Sequence, residues 1–356
     1  MSKLPVSICI IAKNEERYLE DCLKHLSKYG FEIVVTDTGS TDRTIEIAKK
    51  YADKVLEFEW IDDFSAARNF CAKNASNNWI IALDCDEYMT QMDTRILRIL
   101  MQKFPKMTGT IRLKNLMLND DGTEGYGSDD VIRMYNRNYY YFKNPIHEQL
   151  VSKDPAKEED ILQCFLMPCE VIHHGYALNK EEMQEKQKRN LEMILKELEK
   201  NPDDNYLNFQ AGQSFSIIQV YSEAVKYFER SLVNHPGIDR IFVQVAIVSL
   251  AKTYNALGRK EDGLKLLEKY EKDCRTAKFM YAYAGALYDM EQYLKALMMY
   301  LRTVTCADVD TLGENLLTCY EKIVALYKAM GQPDMGKPFE QKIEELKKER
   351  DRVLVS

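Results

Sequence analysis

Several features are missing from this chain of 356 residues. No apolar run approaches the roughly 20 residues a membrane-spanning helix needs. The N-terminus, Met1-Ser2-Lys3-Leu4-Pro5, has no apolar signal core. The expectation is a cytoplasmic protein without an integral membrane segment. The nine cysteines are odd in number and scattered, with no Cys-x-x-Cys spacing, which argues against a zinc ribbon, a redox motif or a disulfide framework. Cys164 and Cys169, five apart in a strand-like stretch, are expected to be packing residues. Excess positive charge is also absent: the net charge is −7 with both signs interspersed, so there is no footprint for nucleic acid. What is present is apolar content of 46%, enough for two cores of ordinary size.

Trp79-Ile80-Ile81-Ala82-Leu83 reads as an apolar strand that runs into Asp84-Cys85-Asp86. Residues two apart on a strand face the same side, so the two carboxylates can converge on one cation. Mg²⁺ or Mn²⁺ takes hard oxygen ligands, commonly one or two carboxylates plus substrate phosphates. Upstream, Val6 to Ile11 and Glu32 to Thr36 read as buried strands. The first leads into Ala12-Lys13-Asn14-Glu15-Glu16, which is expected to open a helix. The second ends at Asp37-Thr38-Gly39-Ser40-Thr41-Asp42. Ligands of open α/β sheets bind beyond the carboxyl ends of the strands, so these loops and the Asp84 loop should share one edge. Helix N-termini near Glu15 and Thr41 are expected to offer free N–H groups. Asp37 and Asp42 also suit plain turn and cap roles.

The ordered set Ile11 to Glu16, Asp37 to Asp42 and Asp84-Cys85-Asp86 resembles the nucleotide-sugar domain of family 2 glycosyltransferases. Phe64-Ser65-Ala66-Ala67-Arg68-Asn69-Phe70 resembles that family's helix before the Asp-x-Asp strand. The likeness covers roughly residues 5 to 176. It implies a GT-A (Rossmann-like) α/β domain and inverting transfer of a hexose from a UDP-sugar with Mg²⁺ or Mn²⁺. It also implies roles: Asp37 on the uracil, Ala12 and Glu15 along base and ribose, Asp84 on the ribose and Asp86 on the metal. Asn14, Gly39, Ser40, Arg68 and Cys85 complete the implied nucleotide-sugar set.

Thr110 to Lys114 and Val131 to Tyr135 alternate like half-buried strands around a turn at Asn119-Asp120-Asp121-Gly122-Thr123. The aromatic run Tyr139 to Phe142 suits either a core or a sugar-binding face. After it come His147-Glu148. An inverting transfer needs a base within reach of the attacking group, and Ile146-His147-Glu148 resembles a motif of the repeat-bearing branch of the family. Glu148 is the candidate base, with His147 orienting it or facing phosphate; Asp129 and Asp130 are the alternatives. The family's usual Glu-Asp acceptor motif is not evident. Val171-Ile172-His173-His174-Gly175-Tyr176 ends the last strand. By resemblance to members that put a histidine on the metal, His174 is the candidate second ligand, beside Gly175 where the chain can come close.

From residue 179 the pattern is helical, with Asn179 and Glu182 at capping-box spacing and Leu191, Ile194, Leu195 and Leu198 at helical spacing. Gly212, Phe215, Ala224 and Phe228 correspond to Ala251, Tyr254, Gly263 and Leu267, then to Ala284, Leu287, Ala296 and Tyr300. This spacing is close to the tetratricopeptide period of about 34 residues. Tyr327 and Gly331 suggest a capping pair, and residues 339–350 a solvated terminal helix. The resulting division is residues 1–178 as catalytic domain, 179–202 as linker helix and 203–356 as all-α tetratricopeptide-repeat domain. The two-part build resembles sublancin-type peptide S-glycosyltransferases, which implies a peptide or protein acceptor recruited by the repeats. A cell-envelope glycan or lipid-linked acceptor, or an inactive repeat scaffold, are the alternatives, and the repeat faces suit a homodimer.

Overall fold

A computed structural model describes residues 4–118, 124–158, 160–175 and 180–355. The expected turn at 119–123, Tyr176 and Asn179 lie outside them. The chain divides into two compact units, residues 1–117 with 128–177, and 118–127 with 178–355.

The first unit is α/β. Its elements are β1 (Val6–Ala12), α1 (Leu19–Ser27), β2 (Glu32–Asp37), α2 (Thr44–Tyr51), β3 (Lys54–Glu57), α3 (Phe64–Asn74), β4 (Trp79–Leu83), β5 (Glu87–Met92) and α4 (Thr94–Lys103). They continue with β6 (Thr108–Leu118), β7 (Glu124–Asn136), β8 (Tyr140–Lys143), β9 (Gln149–Ser152), β10 (Cys164–Leu166) and β11 (Cys169–His173). The main sheet runs β3-β2-β1-β4-β7-β6-β11-β5, with β10 beside β6. β1 is central and parallel to β2 and β4, so the loops after all three emerge at one edge. Its uninterrupted apolar run follows from burial on both faces. Ile8 and Ile10 pack with Leu19, Leu23 and Leu26 of α1. Cys9, between them, packs the other way with Cys71 and Ala72 of α3.

Two local expectations change. The first loop does not open a helix at once: Asn14 takes a left-handed backbone (φ 57°) and α1 starts only at Leu19. Cys164 is exposed on β10, whereas Cys169 is partly buried against the core.

From residue 180 the second unit is helical: α5 (Lys180–Lys200), α6 (Asn205–Ile217), α7 (Tyr221–Leu232), α8 (Ile241–Ala256), α9 (Lys260–Tyr270), α10 (Ala277–Asp289), α11 (Tyr293–Thr303), α12 (Asn315–Ala329) and α13 (Pro333–Val355). α5 belongs with this unit and buries Leu191, Ile194 and Leu198. The remaining helices form successive hairpins, each closing with the same device. The backbone N–H of Val220, Arg259, Gln292 and Gln332 bonds back to the carbonyl of Phe215, Tyr254, Leu287 and Tyr327 at 2.8, 2.8, 2.9 and 2.9 Å. The residue before each donor, Gln219, Gly258, Glu291 or Gly331, is left-handed, as such C-terminal caps require. Small residues sit where helices cross. A Cβ on Gly263 would lie 2.9 Å from the Ala251 carbonyl oxygen, and one on Gly212 would lie 2.6 Å from the Phe228 ring. These are tetratricopeptide-type hairpins stacked on one another. The terminal helix is packed and not merely solvated, because Phe339 meets the rings of Tyr320 and Tyr327.

Candidate active site

The first two loops are stitched together side chain to backbone. Asn14 Oδ1 accepts from Thr41 N at 2.8 Å, and Ser40 Oγ accepts from Asn14 N at 2.9 Å. Thr44 Oγ1 accepts from Glu15 N at 2.7 Å, and Asp42 Oδ2 accepts from Glu16 N at 3.1 Å. The N–H groups expected to be free therefore hold the loops to each other. Asp37, paired in register with Ala12, uses Oδ2 to accept from Gly39 N and Ser40 N at 2.9 and 3.0 Å. Its Oδ1 is buried without a partner. The carboxylate thus builds the turn and keeps one oxygen for a ligand, a costly arrangement unless something fills it.

β4 ends at Leu83, so Asp84-Cys85-Asp86 lies on a tight turn, closed by Glu87 N donating to the Asp84 carbonyl at 3.2 Å. Cys85 turns inward, 3% exposed, with its thiol on the Ile11 carbonyl. Its side chain is therefore not part of the donor site expected from sequence. Asp84 sits between two guanidiniums: Arg68 Nη2 donates to Oδ1 at 2.7 Å and Arg133 Nη2 to Oδ2 at 2.9 Å. Burial works against the Asp84 charge, yet Arg68 and then Arg133 hold its carboxyl well below the usual range. Glu87, fully buried, pairs with Arg133 and accepts from Asp84 N at 3.1 Å. Burial pushes Glu87 up and Arg133 offsets only part of this. Arg68 Nε also pairs with Glu148, the candidate base, while Arg68 Nη1 is buried and unpaired. The loop after β8 is thereby tied to the Asp-x-Asp turn. His147, next to Glu148, is left-handed (φ 49°), its Nε2 is buried without a partner, and burial lowers its pKa.

Asp86 faces a histidine, but not the one expected. His173 Nε2 lies 3.4 Å from Asp86 Oδ2. His174 instead gives its backbone N–H to the Asp86 carbonyl at 2.9 Å and packs its ring on Tyr88, with centroids 4.3 Å apart. Neighbours on a strand face opposite sides, and the pairing of His173 with Glu87 across β11 and β5 decides which ring meets Asp86. Gly175 borders the pair: a Cβ there would fall 2.0 Å from Asp86 Oδ2 and 2.7 Å from His173 Nε2. Only a residue without a Cβ lets the two side chains come this close to the chain. A carboxylate and an imidazole facing each other suit Mg²⁺ or Mn²⁺ as two protein ligands. Among the described residues no group of three or more ligating side chains forms, so further donors would come from substrate phosphate and water. Burial opposes charge on His173, but Asp86, with Glu87 and Asp84 behind it, raises its pKa above the ordinary value.

The alternative bases are committed elsewhere. Asp130 takes a two-bond contact from Arg112 at 2.8 and 3.1 Å, and Asp129 accepts from Asn115 Nδ2 at 2.8 Å. In the aromatic run, Phe142 is core, edge-on to Tyr135, while Tyr139 is exposed. Sequence reasoning did not single out Arg133, Glu87, Asn115 or His173 as site residues. Glu87 directly after Asp84-Cys85-Asp86, and Arg133 at an alternating position of its strand, were the available signals.

Residues 7–150 match the family model described as Glycosyl transferase family 2. The N-terminal unit thus contains a stretch that matches glycosyltransferase family 2. Similarity extends beyond this stretch. A TPR repeat-containing protein of Synechococcus elongatus is 30% identical over 211 residues, covering 58% of this chain and 51% of the relative. The SPbeta prophage-derived glycosyltransferase SunS of Bacillus subtilis is 25% identical over 245 residues, covering 66% of this chain and 55% of SunS. The chain thus spans about half the length of these curated relatives. The crystal structure of MamA aligns at a TM-score of 0.39 and 15% identity, over 50% of this chain and 99% of MamA. No helix among the described residues is long and apolar enough to cross a membrane.

Proposed function

We propose that this protein is an inverting glycosyltransferase that moves a hexose from a UDP-sugar to a peptide or protein side chain, the helical unit recruiting the acceptor. The observation that carries the reading is the single sheet edge on which the half-used Asp37, the Asp84 turn and the Asp86–His173 pair are built. Asp37 Oδ1 suits the imide N–H of a uracil, and Ala12 and Glu15 lie on the loop beside it. Both guanidiniums, Arg68 and Arg133, are already paired with carboxylates, Asp84, Glu87 and Glu148. That favours a diphosphate that arrives with a divalent cation. Asp86 and His173 would hold the cation, which when bound neutralises charge developing on the leaving diphosphate. Glu148 is the base in this reading, and Arg68 holds it toward the reacting end of the donor while leaving Oε2 for the acceptor proton.

The peptide acceptor is supported by the resemblance to sublancin-type enzymes, the similarity to SunS and a groove of about 200 Å³ between α8 and α10. Lys252, Asn255, Tyr281 and Asp289 line it. Two lysines, Lys252 and Lys260, are among its lining residues, so an acidic group on the peptide would be welcome there.

The test is thermal stabilisation by a panel of UDP-sugars with Mn²⁺ or EDTA, since a ligand of the folded state raises the midpoint. A Mn²⁺-dependent shift with one UDP-sugar, slow hydrolysis of that sugar and loss of both in Asp86→Ala by about 10³-fold are expected. No shift with any nucleotide sugar would refute the reading. Lys252→Glu should raise KM for a peptide acceptor and leave sugar hydrolysis unchanged; equal effects on both would remove the recruiting role.

A further inference from the structure

Asn115, His173 and Asp129 form a chain whose polarity can be worked out bond by bond. An ionised carboxylate only accepts hydrogen bonds, so the Asn115 group facing Asp129 at 2.8 Å is the amide NH₂. The amide has one donor end and one acceptor end, so the opposite end is Oδ1. His173 Nδ1 lies 2.8 Å from that oxygen. An amide oxygen has no proton to give, so Nδ1 carries the hydrogen. In the neutral imidazole, which has a single N–H, the Nε2 facing Asp86 then carries no proton.

We propose that Asn115, itself oriented by Asp129, is the positioning residue that holds His173 as its Nδ1–H tautomer, with the Nε2 lone pair turned toward Asp86. The proposal rests on the reading of Asp86 and His173 as cation ligands and assigns the partner that prepares one of them. Three observations support it besides the bond directions. His173 and Asn115 are register partners on the parallel strands β11 and β6, so backbone pairing places them together. Asn115 is only 4% exposed, which keeps bulk water from competing for the amide. At the far end, Nε2 and an Asp86 oxygen face each other at 3.4 Å beside Gly175, where no Cβ would fit. In the neutral pair both atoms are acceptors, an arrangement that repels until something positive lies between them. A histidine of the opposite tautomer would donate to Asp86 and close the gap to a cation. Holding the Nδ1 proton therefore keeps the ligand available, as outer hydrogen bonds commonly do at metal sites.

The test uses the full chain labelled with ¹⁵N-histidine, without metal, at a pH above the imidazole titration. The His173 signals are assigned by their loss in His173→Gln. Wild type should show a protonated Nδ1 and an unprotonated Nε2. Asn115→Leu should give a tautomer mixture and weaken Mn²⁺ binding in the presence of UDP, read from free Mn²⁺ by electron paramagnetic resonance, by about 10–100-fold. The swap Asn115→Asp with Asp129→Asn reverses the polarity of the 115–129 bond but still presents an acceptor to Nδ1. It should restore tautomer and affinity, which a merely structural role would not require. A protonated Nε2 in wild type overturns the proposal, as does a tautomer unmoved by Asn115→Leu. If that variant does not fold, the wild-type spectrum and the swap still decide. An Nδ1–H tautomer with no Mn²⁺ binding would support the chain of bonds and count against the cation reading instead.

Discussion

The two units are held together by different physics. In the α/β unit the site rests on charges that are buried or partly buried: Asp84 between Arg68 and Arg133, Glu87 beneath them and Glu148 at the edge. Its partners come from α3, β4, β5, β7 and the loop after β8, far apart in sequence. Among its described residues the helical unit buries no charged side chain. It repeats one short-range device, an apolar seam with a small residue at each crossing and a left-handed residue at each turn. The first is specific and sensitive to a single lost partner, whereas the second is modular and fails by degrees.

The largest test of that contrast is Arg133→Met. Removing one partner of a buried ion pair leaves an uncompensated charge and costs about 3–5 kcal/mol. Both tryptophans, Trp60 and Trp79, are in the α/β unit, so denaturant unfolding followed by their fluorescence should show the loss. Far-ultraviolet circular dichroism, dominated by the helical unit, should move less. Coincident shifts by both probes would mean the units unfold as one.

Within the helical unit, packing and helix propensity can be set against each other. Gly263→Ala gains about 1 kcal/mol of propensity but forces a Cβ against the Ala251 carbonyl, overpacking that costs about 1–3 kcal/mol. The expected result is a net loss. Gly285→Ala meets nothing nearer than the Tyr300 hydroxyl at 4.0 Å and should stabilise by up to about 1 kcal/mol. Equal effects of the two would show that the crossings are not close-packed. At the turns, Glu291 holds a left-handed conformation (φ 60°) where two sister turns use glycine. Glu291→Gly should stabilise by at most about 1 kcal/mol, since strain is relieved while unfolded-state entropy rises.

Acid should separate the units as well. Burial alone would raise the Glu32 pKa, but bonds from Ser7, Ser76 and Lys54 bring it down to about 2. A depressed carboxyl contributes its stability in full above its ordinary value of 4.5 and loses it as pH falls toward 2. Asp84, also depressed, acts in the same direction. Tryptophan fluorescence should therefore report acid weakening before the helical signal does, and Glu32→Gln should flatten that limb between pH 4.5 and about 2.

Much of this was legible in the sequence for reasons that differ between the units. Gly212, Gly263 and Ala284 announced the hairpins because a helix crossing leaves its mark at a fixed spacing in one stretch of chain. β1, β2 and β4 were legible because strands buried on both faces read as unbroken apolar runs. The start of α1 was not, because Asn14 could continue a helix or turn left-handed, and a bond to Ser40 and one from Thr41 in another loop favour the turn. Cys85 carried an Asp-x-Asp signature but no sign of which way its thiol would point.

What the sequence determined by itself is local: apolar strands ending in polar loops, Asp37 poised to organise the turn it opens, two carboxylates around Cys85, and hairpins at a regular period. Those features depend on residues within a few positions of one another, where covalent geometry limits the choices. The tertiary structure decided which groups meet. It placed His173 and not His174 on Asp86, drew Glu148 onto Arg68, set Arg133 over Glu87 and lined up Asp129, Asn115 and His173 across three neighbouring strands. A one-residue change of register exchanges the two faces of a strand, so these partnerships exist only once the strands have paired.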